Sequence, residues 1–125
     1  MAARVLVVDD HASFRSFANR LLSAAGFVVV GEASNGADAV AASERLRPDA
    51  VLLDVQLPDI DGFEVARRLA QQPEPPDVVL TSARSLSDYG VQELGADVLG
   101  FVPKSDLSGP ALSAVLSPSP LSESP

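Results

Sequence analysis

Charged and hydroxyl residues stand at the ends of four apolar runs in this 125-residue chain. Asp9 and Asp10 close Arg4-Val5-Leu6-Val7-Val8, and Asp54 closes Val51-Leu52-Leu53. Thr81 and Ser82 follow Val78-Val79-Leu80, and Lys104 follows Phe101-Val102-Pro103. A continuous apolar run reads as a strand buried on both faces of a parallel sheet. A carboxylate at the carboxyl end of such a strand lies where open α/β sheets place their ligands. There it is either a solvated strand end or a working group. Each of these residue types is common at strand ends, and any one alone reads as structural. Brought to one edge, they would set carboxylates, hydroxyls and an ammonium group together.

The elements between them decide whether that happens. Phe14, Phe17, Ala18, Leu21, Leu22 and Ala25 recur at helical spacing, and Gly26 follows as a C-cap would. Residues 27–32 read as a second strand, short and β-branched. Asn35-Gly36 offers a turn, residues 37–46 an Ala-rich helix, and Pro48 its stop. Residues 49–54 form the third strand. Leu57-Pro58 and Asp61-Gly62 shape the turn after it, with Asp59 and Ile60 expected in an exposed loop. Val65, Ala66 and Leu69 stripe the next helix, which Pro73, Pro75 and Pro76 end. A fourth strand (77–82), a weak helix (86–94) containing Gly90, a fifth strand (98–102) and a last helix (107–116) complete the pattern. Strand and helix alternate five times, which predicts a doubly wound five-stranded parallel α/β sheet with five helices and right-handed crossovers. All strand C-termini then share one edge, and it gathers Asp9, Asp10, Asp54, Thr81 or Ser82, and Lys104. The domain is expected to span residues 1–116, with the Ser/Pro-rich 117–125 as a disordered tail.

Nine basic residues against seventeen acidic give a net charge of -8, a field that repels nucleic-acid phosphates and anionic membrane. No apolar run approaches the ~20 residues of a membrane span, and the run after the N-terminus is too short for a signal peptide. Cysteine is absent. The expectation is a cytoplasmic chain with no thiolate chemistry, no membrane contact and no direct nucleic-acid contact.

Four motifs now carry a resemblance. They are the run into Asp9-Asp10, the Leu53-Asp54…Leu57-Pro58…Asp61-Gly62 loop, the Thr81-Ser82-Ala83 strand end and Phe101-Val102-Pro103-Lys104. Through them the chain, from about Arg4 to Leu116, resembles the receiver domain of two-component response regulators. The resemblance implies a flavodoxin-like topology and a phosphoacceptor that is not an enzyme in its own right. Position by position, it makes Asp54 the carboxylate that takes a phosphoryl group from a histidine kinase or phosphotransfer protein. It implies Mg²⁺ held by Asp9, Asp10, Asp54 and the backbone carbonyl of Gln56, an oxygen-only set that suits this ion. Lys104 would pair with a phosphoryl oxygen as a compact point charge.

Ser82, 22 residues before Lys104 and followed by small Ala83, is the expected switch hydroxyl, with Thr81 as the alternative. Phe101 matches the switch aromatic and reads equally well as a core residue. Gln56 and Arg84 match positions that influence how quickly water reaches the acyl phosphate. The face of the fourth helix, fifth strand and last helix would meet a downstream protein partner or, after phosphorylation, a second copy. Ser105 departs from the family, where proline often follows the lysine. His11, the only histidine, reads as a solvated or hydrogen-bonding neighbour of the acidic pair.

Rival classes fit less well. A flavin module binds phosphate in the loop after the first strand, where Asp9-Asp10 would repel it. An Asp-nucleophile phosphohydrolase commonly carries Asp-x-Asp there and a cap, for which this chain has no spare residues. A scaffold that has lost phosphorylation would not keep every required residue. A stand-alone regulator and a fragment of a longer response regulator with a DNA-binding output domain both remain open.

Overall fold

In a computed structural model, which describes residues 2–90 and 94–116, the apolar runs become five parallel strands. They are β1 (Arg4–Val8), β2 (Val28–Ala33), β3 (Ala50–Asp54), β4 (Asp77–Ser82) and β5 (Gly100–Pro103), in the order β2-β1-β3-β4-β5. Successive residues point to opposite faces, so each run feeds two cores at once. Val5, Val7, Leu52, Val79 and Val102 pack beneath α1 (Ala12–Ala24) and the last helix. Leu6, Val8, Val51, Leu53, Val78 and Leu80 pack beneath α2 (Gly36–Leu46) and α3 (Gly62–Leu69). Each fully buried Leu or Val on these faces contributes roughly 1.5–3 kcal/mol.

β1 has β2 on one side and β3 on the other. The chain therefore winds away from β1 in both directions, and a crevice opens at the carboxyl ends of β1 and β3. Asp9 and Asp54 stand at those two ends.

Several boundaries differ from the sequence expectation. The helix expected over 86–94 is a single 3-10 turn, Leu86–Tyr89, among the described residues. Gly90 ends it in the left-handed region (φ 72), and residues 91–93 lie outside the described ones. Four α-helices are therefore described where five were expected. The last helix does not start at Leu107: a 3-10 turn (Lys104–Asp106) intervenes, and α4 runs Gly109–Leu116. Leu107 is nevertheless buried. The fifth strand starts at Gly100, two residues later than expected. Ile60, expected in an exposed loop, is partly buried and packs against the α2–α3 core. The Ser/Pro tail at 117–125 lies outside the described residues.

The ends of α2 depend on residues far away in sequence. At its C-terminus Arg47, not Pro48, makes the turn, with φ 49 in the left-handed region. The Arg4 guanidinium donates to the carbonyls of Arg47 (2.7 Å) and Leu46 (2.8 Å), which the helix leaves unpaired. At its N-terminus the Asn35 side chain accepts from Asp38 N–H at 2.8 Å, an ordinary N-cap. The Asp59 carboxylate, from the loop after β3, accepts from Gly36 N–H (2.8 Å) and Ala37 N–H (2.9 Å).

Candidate functional site

Asp9 has no exposed surface and Asp54 only 3%, because each extends an apolar strand buried on both faces. Lys104 enters from the 3-10 turn that follows β5. Its Nζ lies 2.7 Å from Asp9 Oδ2 and 3.3 Å from Asp54 Oδ2, so one ammonium bridges two strand ends. The Lys104–Ser105 peptide is trans, so the missing proline leaves an ordinary chain path there. The same ammonium lies 4.3 Å from the centre of the Phe14 ring, a cation–π contact that steadies it.

Electrostatics separate the two acids. Burial pushes the Asp9 carboxyl up, but the Lys104 ammonium and the His11 amide outweigh it and hold the carboxyl below the usual range. Burial also raises Asp54; the Gln56 amide opposes this, but the charge on Asp9 reinforces it, and the group is pushed up to about 6. Burial lowers Lys104, yet Asp9 and Asp54 more than reverse that and raise it. The two acids are thus pushed in opposite directions, Asp9 down by Lys104 and Asp54 up by burial and by Asp9.

Asp9 Oδ2 is buried and has the Lys104 ammonium, 2.7 Å away, as its ion-pair partner. Asp9, Asp10, His11 and Asp54 each present one ligand atom, all within 4.8 Å of one another. Clustered carboxylate oxygens of this kind fit a hard divalent cation. The sequence reading left His11 at the margin, and the structure brings it to the cluster. Its N–H donates to Asp9 Oδ1 at 2.8 Å, and its Nδ1 lies 3.0 Å from Asp10 Oδ1. Gln56 N–H donates to Asp54 Oδ1 at 3.1 Å, which orients the carboxylate at the start of the loop.

Both candidate hydroxyls are fully buried. Thr81 pairs in register with Asp54, yet its Oγ1 has no hydrogen-bond partner. Ser82 Oγ accepts from Arg84 N–H at 3.1 Å and lies 2.5 Å from the hydroxyl of Tyr89. Phe101 on β5 is partly buried against the α2–α3 core, on the same face as Tyr89. Sequence reasoning missed Tyr89, Phe14 and Asp59. Phe14 showed only as one apolar position of α1, and no spacing signal marked the other two.

The strand order and the bridged carboxylates at the reversal of winding define a flavodoxin-like α/β protein with an acidic pocket at its switch point. A sequence model of the response regulator receiver domain matches residues 5–112. The chain belongs to that family, whose members bind Mg²⁺ at an acidic pocket and act with histidine kinases or phosphotransfer proteins and with output domains.

The chain is 44% identical, over 85% of its length, to a protein-glutamate methylesterase/protein-glutamine glutaminase of Anaeromyxobacter dehalogenans, matching 30% of that protein. It is 30% identical to the chemotaxis protein CheY of Thermotoga maritima, over 83% of this chain and 87% of that one. Among solved structures, a LuxR-family two-component response regulator from Aurantimonas superposes with a TM-score of 0.81 at 29% identity, covering 94% of this chain and 86% of that one. The chain spans 29% to 49% of the length of the first curated relatives it matches. Among the described residues, no helix is long and apolar enough to cross a membrane.

Proposed function

We propose that residues 1–116 form the receiver of a two-component phosphorelay and that Asp54 accepts the phosphoryl group. The observation that carries this reading is Lys104, which joins Asp54 to the buried carboxylate of Asp9. A carboxylate nucleophile and an anionic phosphoryl donor repel each other, so a working site must hold positive charge where they meet.

In the proposed transfer an Asp54 oxygen attacks the phosphorus of a phosphohistidine on the partner. The new O–P bond forms as the N–P bond breaks. The bonding pair stays on the imidazole nitrogen, which takes a proton from water. Lys104 turns its ammonium to a phosphoryl oxygen, and Ser82 donates its hydroxyl proton to another. Asp9, Asp10, Asp54 and the Gln56 carbonyl would hold Mg²⁺, which when bound neutralises phosphoryl charge. Phe101 then follows Ser82 inward, a local event that biases a two-state element. The exposed side chains of Gln56 and Arg84 flank the acyl phosphate and set its exposure to water.

The donor is a histidine kinase or phosphotransfer protein, and the site of action is the cytoplasm. The output is a protein partner, or a phosphorylation-dependent second copy, engaged through the Leu86–Tyr89 turn, β5 and α4.

Incubation with acetyl phosphate and Mg²⁺, followed by intact mass, tests the central step. The wild-type chain should gain the mass of one phosphoryl group, and Asp54→Ala should gain none. A wild-type chain that stays at its original mass overturns the reading.

A further inference from the structure

Tyr89 takes no part in the transfer proposed above, yet it engages the hydroxyl that the transfer needs. The Leu86–Tyr89 turn is closed on itself. Ser85 N–H donates to Asp88 Oδ2 at 3.1 Å, the Ser85 side chain accepts from the backbone in return, and Gly90 ends the turn at φ 72. Among the described residues, Tyr89 ties it to the rest of the fold by its side chain. The hydroxyl bonds Ser82 Oγ, and the ring meets Phe63 of α3 edge-on at 6.0 Å.

A serine hydroxyl has one proton and two lone pairs. Ser82 already accepts from Arg84 N–H. An acyl phosphate on Asp54 would bring anionic oxygens that accept only, so Ser82 would have to turn its single proton to them. Where Ser82 is the donor to Tyr89, its one proton serves either the Tyr89 oxygen or a phosphoryl oxygen, not both. Tyr89 borders an open surface groove of about 380 Å³, lined also by Val55, Gln56, Leu57, Asp61 and Phe63.

Resting on the phosphoacceptor reading of Asp54, we propose that Tyr89 is a positioning residue of this site. In the unphosphorylated protein Ser82 donates its proton to the Tyr89 oxygen; phosphorylation turns that proton away, breaks the Ser82–Tyr89 bond and frees the Leu86–Tyr89 turn. The phosphoryl signal thus has a local exit that runs through a tyrosine on the loop after β4.

The chain holds one tyrosine and no tryptophan, so its near-ultraviolet emission reports Tyr89 alone. Titration of the full chain with beryllofluoride and Mg²⁺ should change that emission. Ser82→Ala should start at altered emission and respond little further. Tyr89→Phe keeps the ring on Phe63 but removes the competing hydroxyl. By thermal shift it should bind beryllofluoride about five-fold more tightly, the equivalent of one hydrogen bond. Tyr89→Leu separates packing from hydrogen bonding: it loses both the Phe63 contact and the Ser82 bond, and should unfold at a lower temperature than Tyr89→Phe, which loses the bond alone. If mass shows wild-type Asp54 phosphorylated while the emission stays constant, or if Tyr89→Phe binds no tighter, the assignment to Tyr89 is wrong. If no phosphoryl mass appears at all, the reading of Asp54 falls and the role of Tyr89 falls with it.

Discussion

Lys104 and Asp9 form an ion pair 2.7 Å across, and Asp9 has no exposed surface. Removing one member of a buried pair leaves the other charge without compensation. Lys104→Met should therefore destabilise the metal-free protein by about 3 kcal/mol, the low end for such pairs because Lys104 itself reaches solvent. Added Mg²⁺ should recover more stability in this variant than in wild type. Thermal unfolding with and without the ion measures both effects, and equal Mg²⁺ responses would contradict the prediction.

Asp54→Asn should act in the opposite direction. It removes one of two neighbouring buried acids, so in chelator the variant should unfold at a higher temperature than wild type. It should also gain less from Mg²⁺ than the wild-type chain, for which an ion at 100 times its Kd contributes about 2.7 kcal/mol.

Thr81 and Ser82 are told apart by their partners. Thr81 Oγ1 is buried without a hydrogen bond, so Thr81→Val should leave stability unchanged or raise it by about 1 kcal/mol. Ser82→Ala should abolish the conformational response to beryllofluoride, which Thr81→Val should keep. The reverse pattern in a limited-proteolysis or spectroscopic assay would make Thr81 the switch hydroxyl.

Gly62 is required by close approach. A Cβ there would come 2.5 Å from the Asp54 carbonyl oxygen and 2.8 Å from Val55 Cα, both backbone atoms that cannot step aside. Gly62→Ala should lower stability by about 2–3 kcal/mol and slow phosphorylation of the adjoining Asp54. Gly36→Ala, which meets the side chains of Ile60 and buried Val65 and no backbone, should lower it less. Denaturant titration of the two variants ranks them.

Asp59 supplies a pH signature. Its bond to the Gly36 amide, helped by that of Ala37, holds its carboxyl down at about 2, against an ordinary 3.8. A lowered acid contributes stability that is complete above its ordinary value and lost as pH falls towards the folded value. Wild type should exceed Asp59→Ala by about 1 kcal/mol near neutrality, as for other helix caps. That gap should close between pH 4 and pH 2, as unfolding temperatures taken across the range would show.

The strands and the convergence of Asp9, Asp54 and Lys104 were legible because an apolar run needs only composition to be seen, and the alternation of elements sets which ends meet. The segment after β4 was not legible. Ser85, Ser87 and Asp88 satisfy one another locally, and that capping logic yields a closed turn where the apolar pattern suggested a helix. Arg4 at the end of α2 and Asp59 at its start were hidden for a different reason. Their partners lie 42 and 23 residues away, beyond the reach of local periodicity. Tyr89 was invisible because a hydroxyl facing a hydroxyl leaves no trace in spacing.

The bond from Asp59 to α2 has one more consequence. It anchors the loop after Asp54 to a neighbouring helix, and Gly62 presses the far end of that loop against the Asp54 backbone. One flank of the pocket is thereby clamped, while the other, among the described residues, is a one-turn segment held through the ring and hydroxyl of Tyr89. A disturbance at Asp54 would not spread evenly. It would leave by the softer flank, which gives this small domain a direction of transmission.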